Sequence, residues 1–172
     1  IKNPLINSKG QHTSAIFGLI NSINKIIRDN NPDYIAMVLD SKEPTFRHEI
    51  FEDYKANREK MPDELISQLA LIDKVIEAFN IVSVRKPRFE ADDIIGTIVE
   101  KVKDKDIDSY IVSSDKDLMQ LVNEKVFIYD LGNRFKPQTT YDVDKVRKKW
   151  GVNPEDIVEF LTLVGDSSDN IP

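Results

Sequence analysis

The sequence predicts an α/β fold with a mainly parallel central sheet and helices on both faces. Three observations carry this. Short apolar, β-rich runs recur along the chain. Longer segments between them space their apolar residues at helical intervals. The strand-like runs are apolar throughout rather than alternating, as strands covered on both faces are.

The strand runs come first. Residues 34–39 (YIAMVL) read as a buried strand running into Asp40. Residues 81–84, 110–112 and 126–129 are shorter runs of the same kind, and 110–112 leads into Ser113-Ser114-Asp115. The helical segments lie between and around them. Residues 13–28 carry a stripe of Ile16, Leu19, Ile20, Ile23, Ile26 and Ile27. Residues 63–79 follow Pro62, a residue suited to the first helical position, and carry Leu65, Leu69, Ile72, Val75, Ile76 and Phe79. Residues 91–102 and 116–122 are further helices. Residues 142–150 end at Gly151, a C-terminal stop. Asn153-Pro154-Glu155 then opens another helix, with Asn as cap and an acid in the first turn. Residues 104–108 (DKDID) form a charged turn and 130–137 a loop. Strand–helix alternation implies right-handed crossovers.

Composition excludes several chemistries. Among 172 residues there is no Cys, so disulfides and thiolate metal sites are ruled out. The two His, His12 and His48, are too far apart in sequence for a zinc-type cluster. No apolar run reaches the roughly 18 residues of a membrane span, and no secretory signal is visible, which points to the cytoplasm. The chain begins at Ile1, as a fragment would. The net charge of −6 argues at first against nucleic acid. Eight of the 30 acids fall in the motifs below, and setting those eight aside moves −6 to +2. If they hold cations, the remaining surface can carry a basic patch.

Four acidic motifs carry the chemistry: Asp40 after YIAMVL; Glu90, Asp92 and Asp93 in FEADDIIG; Asp115 and Asp117 in SSDKD; Asp166 and Asp169 in GDSSDN. In an open parallel sheet, sites form beyond the carboxyl ends of the strands. Asp40 and Asp115 each follow a strand there, and the Glu90 motif follows another after a short loop. Carboxylates crowded on one rim repel each other, and bound cations relieve the cost. An all-oxygen donor set points to Mg²⁺ or Mn²⁺, ions that bridge to phosphates. Each motif alone also has a plain structural reading. Asp40 can be a turn residue, Asp115 a helix cap, and the acids at Glu90 partners of a helix N-terminus. GDSSDN can be a loop.

Residues 46–60 (FRHEIFEDYKANREK) form a basic–aromatic segment. At about 100° per residue, Arg47, Phe51, Tyr54, Lys55 and Arg58 share one helical face. Cations interleaved with an aromatic suit a single strand, whose phosphates meet Lys and Arg and whose bases stack on Tyr. The alternative is a solvated helix laced with pairs such as Glu52–Lys55.

The runs PTFRHEIFEDYKANREKMP, FEADDIIG, SSDKDLMQLV and GDSSDNIP, in that order, closely resemble the 5′-nuclease domain of bacterial DNA polymerase I. LINSKG near the amino terminus and VLD at Asp40 belong to the same pattern, so the resemblance covers essentially the whole chain. It implies a PIN-like α/β fold with a helical arch. It also implies 5′→3′ exonuclease and 5′-flap endonuclease activity on DNA and RNA primers in replication and repair, with two or more Mg²⁺ or Mn²⁺ ions. By motif, Asp40, Glu90, Asp92, Asp115, Asp117, Asp166 and Asp169 resemble metal ligands, direct or through water, and Asp93 a supporting member behind them. Lys55 and Arg58 resemble the catalytic basic residues at the base of the arch, with Tyr54 an aromatic beside them and Arg47 a phosphate contact. The implied partner is DNA with a 5′ flap, nick or primer end. The implied setting is a monomeric, cytoplasmic, nucleoid-associated protein fused to a polymerase domain.

The family pattern begins with a strand that carries a further acid and continues past DNIP into a glycine-rich helix–hairpin–helix element. Neither is in this sequence. The expectation is therefore a nuclease core over residues 1–172, truncated at both ends, with a non-catalytic nucleic-acid-binding fragment as the alternative. A phosphatase using Asp40 as nucleophile leaves the basic–aromatic segment unexplained. A PIN-type ribonuclease has no need of it.

Overall fold

The computed structural model describes residues 4–171. In chain order the elements are α1 (Ser14–Asn30), β1 (Ala36–Val38), α2 (Phe46–Ile50), α3 (Asp63–Ala78), β2 (Val82–Val84), α4 (Ala91–Val102) and β3 (Ser109–Ile111). A 3₁₀ turn at Asp117–Leu121 follows, then β4 (Val126–Asp130), β5 (Thr139–Tyr141), α5 (Val143–Trp150), a 3₁₀ turn at Pro154–Asp156 and α6 (Ile157–Val164). The chain divides into two compact units, Ile1–Leu39 with Glu59–Val84, and Asp40–Arg58 with Arg85–Pro172.

In the first unit β1 and β2 pair in parallel, Ala36 opposite Val82 and Val38 opposite Val84. Ile23 of α1, Ile76 of α3 and Ile81 form its buried core, with Leu19, Ile72, Val75 and Phe79 of the two expected stripes packed against it, while Ile27 and Leu69 of those stripes are exposed. Buried Gln68 ties the two helices: its Oε1 accepts from the Ala15 N–H at 3.0 Å while its Nε2 donates to the Glu64 carbonyl at 2.7 Å. Pro62 lies just before the first helical residue rather than on it.

The second unit holds a three-stranded sheet. β3 and β4 are parallel and β5 is antiparallel to β4. The four expected apolar runs each form a strand and pair in parallel, but among the described residues they lie in two sheets rather than one, and β1 and β2 are not buried as expected, Tyr34 and Val82 being exposed. β5 was not expected, because Thr139-Thr140-Tyr141 is too short and polar to show a period. Its pairing depends on the turn before it. Gly132 has φ +69, and a Cβ there would lie 2.4 Å from the Lys136 carbonyl oxygen. Asp130, 5% exposed, accepts from the Gly132 N–H and pairs with Lys136. Ile111, Leu118, Met119, Val126, Ile128, Val146 and Ile157 fill the core beneath the loops that carry the acids. The expected helix at 116–122 is the 3₁₀ turn, closed by Met119 N–H to Lys116 O and Val122 N–H to Met119 O.

Residues 46–60 are not one helix. α2 ends at Ile50, Phe51 is extended (φ −137, ψ 106) and Lys55 has φ 57. Contacts with the 166–170 loop replace the helical ladder. Lys55 N–H donates to Asp169 O at 3.1 Å, Asn170 Nδ2 to Asp53 O at 3.0 Å, and Asn57 Nδ2 to Ser167 O at 2.8 Å. Among the described residues no helix is long and apolar enough to cross a membrane.

Candidate metal and nucleic-acid site

Every expected site residue belongs to the second unit. The amino end of α4 organises one group. Glu90 is its N-cap, and Asp92 and Asp93 lie in its first turn, where unpaired backbone N–H groups favour negative charge. Asp40, beyond β1 in the chain, accepts from the Ala91 N–H at 2.8 Å, so it caps that end from a distance. Asp93 is differently engaged. Its Oδ2 accepts from the Glu90 N–H at 2.9 Å, and both its oxygens take the Arg47 guanidinium fork at 2.7 Å. Arg47 holds the Asp93 carboxyl below the usual range, and Asp93 in turn raises the Arg47 pKa.

Two loops supply the remaining acids. After β3, Asp115 Oδ1 accepts from the Asp117 N–H at 3.0 Å in a local turn, while the N-cap of the 3₁₀ turn is Lys116 rather than Asp115. In the 166–171 turn, Asp166 N–H donates to Ile171 O, Ile171 N–H donates back, and Ser168 N–H donates to Asp166 Oδ1 at 2.9 Å. GDSSDNIP is thus a closed turn over its described part; Pro172 lies outside the described residues. It delivers Asp166 and Asp169 to Asp117, and one carboxylate oxygen from each of the three lies within 4.8 Å of the others.

The electrostatics record the crowding. Asp92 is pushed up to about 6, first by burial and then by Asp115, Asp40, Glu90 and Asp117. Burial, followed by Asp115 and Asp166, also raises Asp117. Burial pushes Asp166 the same way, but the Ser168 N–H and Lys116, 3.2 Å from its Oδ1, outweigh it and the net direction is down. Asp117 Oδ1 is buried and has no hydrogen-bond partner among the described residues. An unpaired buried carboxylate oxygen costs on the order of 1–3 kcal/mol unless something satisfies it. Hard oxygen donors and this unmet demand fit a divalent cation of the Mg²⁺ or Mn²⁺ class.

The basic–aromatic segment meets the same acids. Lys55 Nζ lies 2.8 Å from Glu90 Oε1 and 3.8 Å from Asp169 Oδ2, so it pairs with Glu90 rather than Glu52. Arg58 Nη2 is 2.7 Å from Asp169 Oδ1. Tyr54 is buried, with its hydroxyl 3.0 Å from Glu90 and 3.1 Å from Asp169. Burial and then Glu90 push its ionisation well above the usual phenol range, so it stays a neutral donor. Its ring meets His48 edge-on, with centroids 5.2 Å apart.

A cavity of about 410 Å³ opens among these groups, lined by Lys55, Arg58, Asp92, Asp115, Asp117, Asp166 and Asp169. Lys116, Lys149 and Trp150 line it too, and sequence reasoning did not single them out. Lys149-Trp150 shows in the sequence as a basic–aromatic pair ending a helix, but only tertiary packing decides which wall it faces.

Comparison with known proteins places this geometry. The family described as 5′-3′ exonuclease, N-terminal resolvase-like domain, matches residues 1–151. The 5′-3′ exonuclease of Aquifex aeolicus is 38% identical over 169 residues, covering 98% of this chain and 57% of its own length. DNA polymerase I of Treponema pallidum is 39% identical over 169 residues, and that of Bacillus caldotenax 36% over 170. This chain spans 17% and 19% of those two polymerases. Among solved structures, the bacteriophage T5 D15 protein co-crystallised with metal ions superposes with a TM-score of 0.71 at 19% identity. The match covers 89% of this chain and 60% of that one. The catalytic core of Rad2 in complex with DNA superposes at 0.55 and 17% identity, covering 90% and 47%. These likenesses show the PIN-like α/β nuclease fold. With the family match running from the first residue through α5 and relatives aligned over nearly the whole chain, this chain belongs to the 5′–3′ exonuclease family, whose enzymes are phosphodiester hydrolases.

Proposed function

We propose that this protein is a divalent-metal-dependent 5′→3′ exonuclease and 5′-flap endonuclease. It acts on flapped, nicked or RNA-primed DNA ends in replication and repair. One observation carries the reading: Asp117, Asp166 and Asp169 close to within 4.8 Å in the cavity that also presents Asp92, Asp115, Lys55 and Arg58. Acids that gather cations thus share one space with cations that gather phosphate.

Asp40, Glu90, Asp92 and Asp115 would hold one ion, and Asp117, Asp166 and Asp169 another. The chemistry such ions supply when bound is neutralisation of phosphate charge and acidification of a coordinated water. The chain's own residues do the rest. Lys55 and Arg58 face the scissile phosphate and stabilise the charge developing on it. Tyr54, kept neutral, keeps its proton and offers its one O–H as a hydrogen-bond donor between Glu90 and Asp169, positioning the carboxylate that accepts it. Arg47 acts by position: its fork fixes Asp93, which holds the Glu90 N–H and with it the amino end of α4. The products carry a 5′-phosphate.

The T5 D15 flap endonuclease has been captured with DNA and metal ions, and T5 5′-exonuclease with zinc, which supports the same chemistry here. The DNA polymerase I relatives support a chain that continues into a polymerase; a monomeric state and a place with the nucleoid in the cytoplasm belong to the same proposal. The test is cleavage of a 5′-flap DNA titrated with Mg²⁺ or Mn²⁺. Cleavage should require the ion and fall by about 10²-fold or more in D115A. Cleavage without divalent ions, or D115A at wild-type rate, overturns the reading.

A further inference from the structure

We propose that Lys149 grips a phosphate of the bound strand at the rim of the acidic cavity, beside the phosphate that Lys55 and Arg58 face, and that Trp150 positions its ammonium. The inference rests on the nuclease reading and adds a contact to it.

The ordinary reason for basic residues here is the helix dipole, since Arg147, Lys148 and Lys149 all lie in the last turn of α5. The three are not equivalent. Arg147 is engaged by Asn153 at 2.8 Å and Asp144 at 3.3 Å. Lys149, with its neighbour Trp150, lines the cavity, and Lys148 does not.

The Lys149 ammonium is held by soft groups. It lies 3.9 Å from Met119 Sδ, 4.8 Å from the Tyr141 ring centre and 5.2 Å from that of Trp150. Its field reaches Asp130 and helps lower that carboxyl. Yet among the described residues no carboxylate approaches within 4.0 Å of it, whereas Lys55, Arg58 and Lys116 on the same cavity are each ion-paired. Thioether and ring faces are weak acceptors, so the N–H donors of Lys149 remain available for a strong one. Trp150 is itself fixed, its indole N–H 3.0 Å from Met119 Sδ and its ring edge-on to Phe160. The ammonium is therefore set in place before a ligand arrives, which lowers the entropy cost of using it.

A phosphodiester backbone has neighbours on both sides of the scissile group. An acidic cavity repels those neighbours except where a cation meets them. Lys149 is such a cation on the cavity wall.

The test measures binding and cleavage of 5′-flap DNA by K149A, with K148A from the same turn as control. K149A should weaken DNA binding and raise KM about 5- to 10-fold, with kcat within about twofold. The slope of log K against log salt should become shallower by about one, and K149R should restore most of the loss. K148A should match wild type. W150F keeps an aromatic face beneath the ammonium and should stay within about twofold, while W150L should raise KM about threefold. K149A decides the matter should W150L fail to fold. Trp150 is the chain's single tryptophan, so its emission should change as flap DNA saturates the protein. K149A indistinguishable from wild type, or losing kcat with KM unchanged, overturns the inference alone. Wild-type protein that neither binds nor cleaves flap DNA overturns the nuclease reading beneath it.

Discussion

Lys55 Nζ lies 2.8 Å from Glu90 Oε1, so a cation expected to face phosphate rests on an acid expected to face metal. Asp169 is 3.8 Å from the same ammonium and takes Arg58 at 2.7 Å. Without divalent ions, the basic turn neutralises the acids. On the proposed reading, bound ions would take Glu90 and Asp169 from these cations and leave Lys55 and Arg58 free to meet substrate. K55A should therefore bind Mn²⁺ about three- to tenfold tighter while losing about 10²-fold in flap cleavage. Calorimetric titration and single-turnover cleavage read the two effects. K55A with weaker Mn²⁺ binding would contradict the exchange.

Asp92 gives a pH signature. Its carboxyl rises from 3.8 to about 6 in the folded protein, chiefly through burial. A raised acid binds its proton more tightly when folded. Its contribution is therefore full below about pH 3.8 and is lost as pH rises through about 6. Metal-free D92N should melt above metal-free wild type at pH 7, with the gap closing toward pH 4.5. After allowance for solvent screening the gap is roughly 1 kcal/mol, or about 2–4 °C. Adding Mg²⁺ should stabilise wild type and not D92N. Melting curves at the two pH values, with and without chelator, check this.

The Arg47–Asp93 fork has the opposite sign. Arg47 lowers the Asp93 carboxyl, so the stability it contributes is present above the ordinary carboxylate pKa and is lost as pH falls through the lowered one. R47A should lose about 1 kcal/mol at pH 7, and its stability should fall less than that of wild type on acidification. R47K keeps the charge but not the two-toothed geometry and should recover less than half of the loss. Denaturant melts at pH 7 and pH 3 measure both variants.

The strand–helix alternation was legible because its signals are local. Apolar runs of three to six residues and helical stripes survive in one dimension, and α1, α3 and α4 appear at or near their expected bounds. The acidic motifs were legible for a different reason: carboxylates at strand ends and at a helix start have few places to go. What escaped depends on distant partners. The 46–60 stripe reads as one helix until the backbone of the Asp166–Asn170 loop offers Lys55, Asn57 and Asp53 better bonds. The second role of Tyr54, holding Glu90 and Asp169, was hidden for the same reason. The Lys149–Trp150 wall was hidden because helical spacing does not say what a helix end faces.

Asp117 and Asp40 should separate the two groups of acids. Asp117 Oδ1 is buried without a hydrogen-bond partner among the described residues and its carboxyl is raised, foremost by burial, so the metal-free fold keeps it at a cost. Its near neighbours are Asp166 and Asp169, whereas Asp40 sits at the amino end of α4 beside Ala91. D117A should abolish one class of Mn²⁺ sites in calorimetric titration and leave the other within about threefold. D40A should do the reverse, the remaining ions staying bound. Flap DNA binding should survive in both, because Lys55, Arg58 and Lys149 are untouched, while cleavage falls by about 10²-fold or more in each. One substitution removing both classes of ion would mean that the seven acids form a single shared site rather than two adjoining ones.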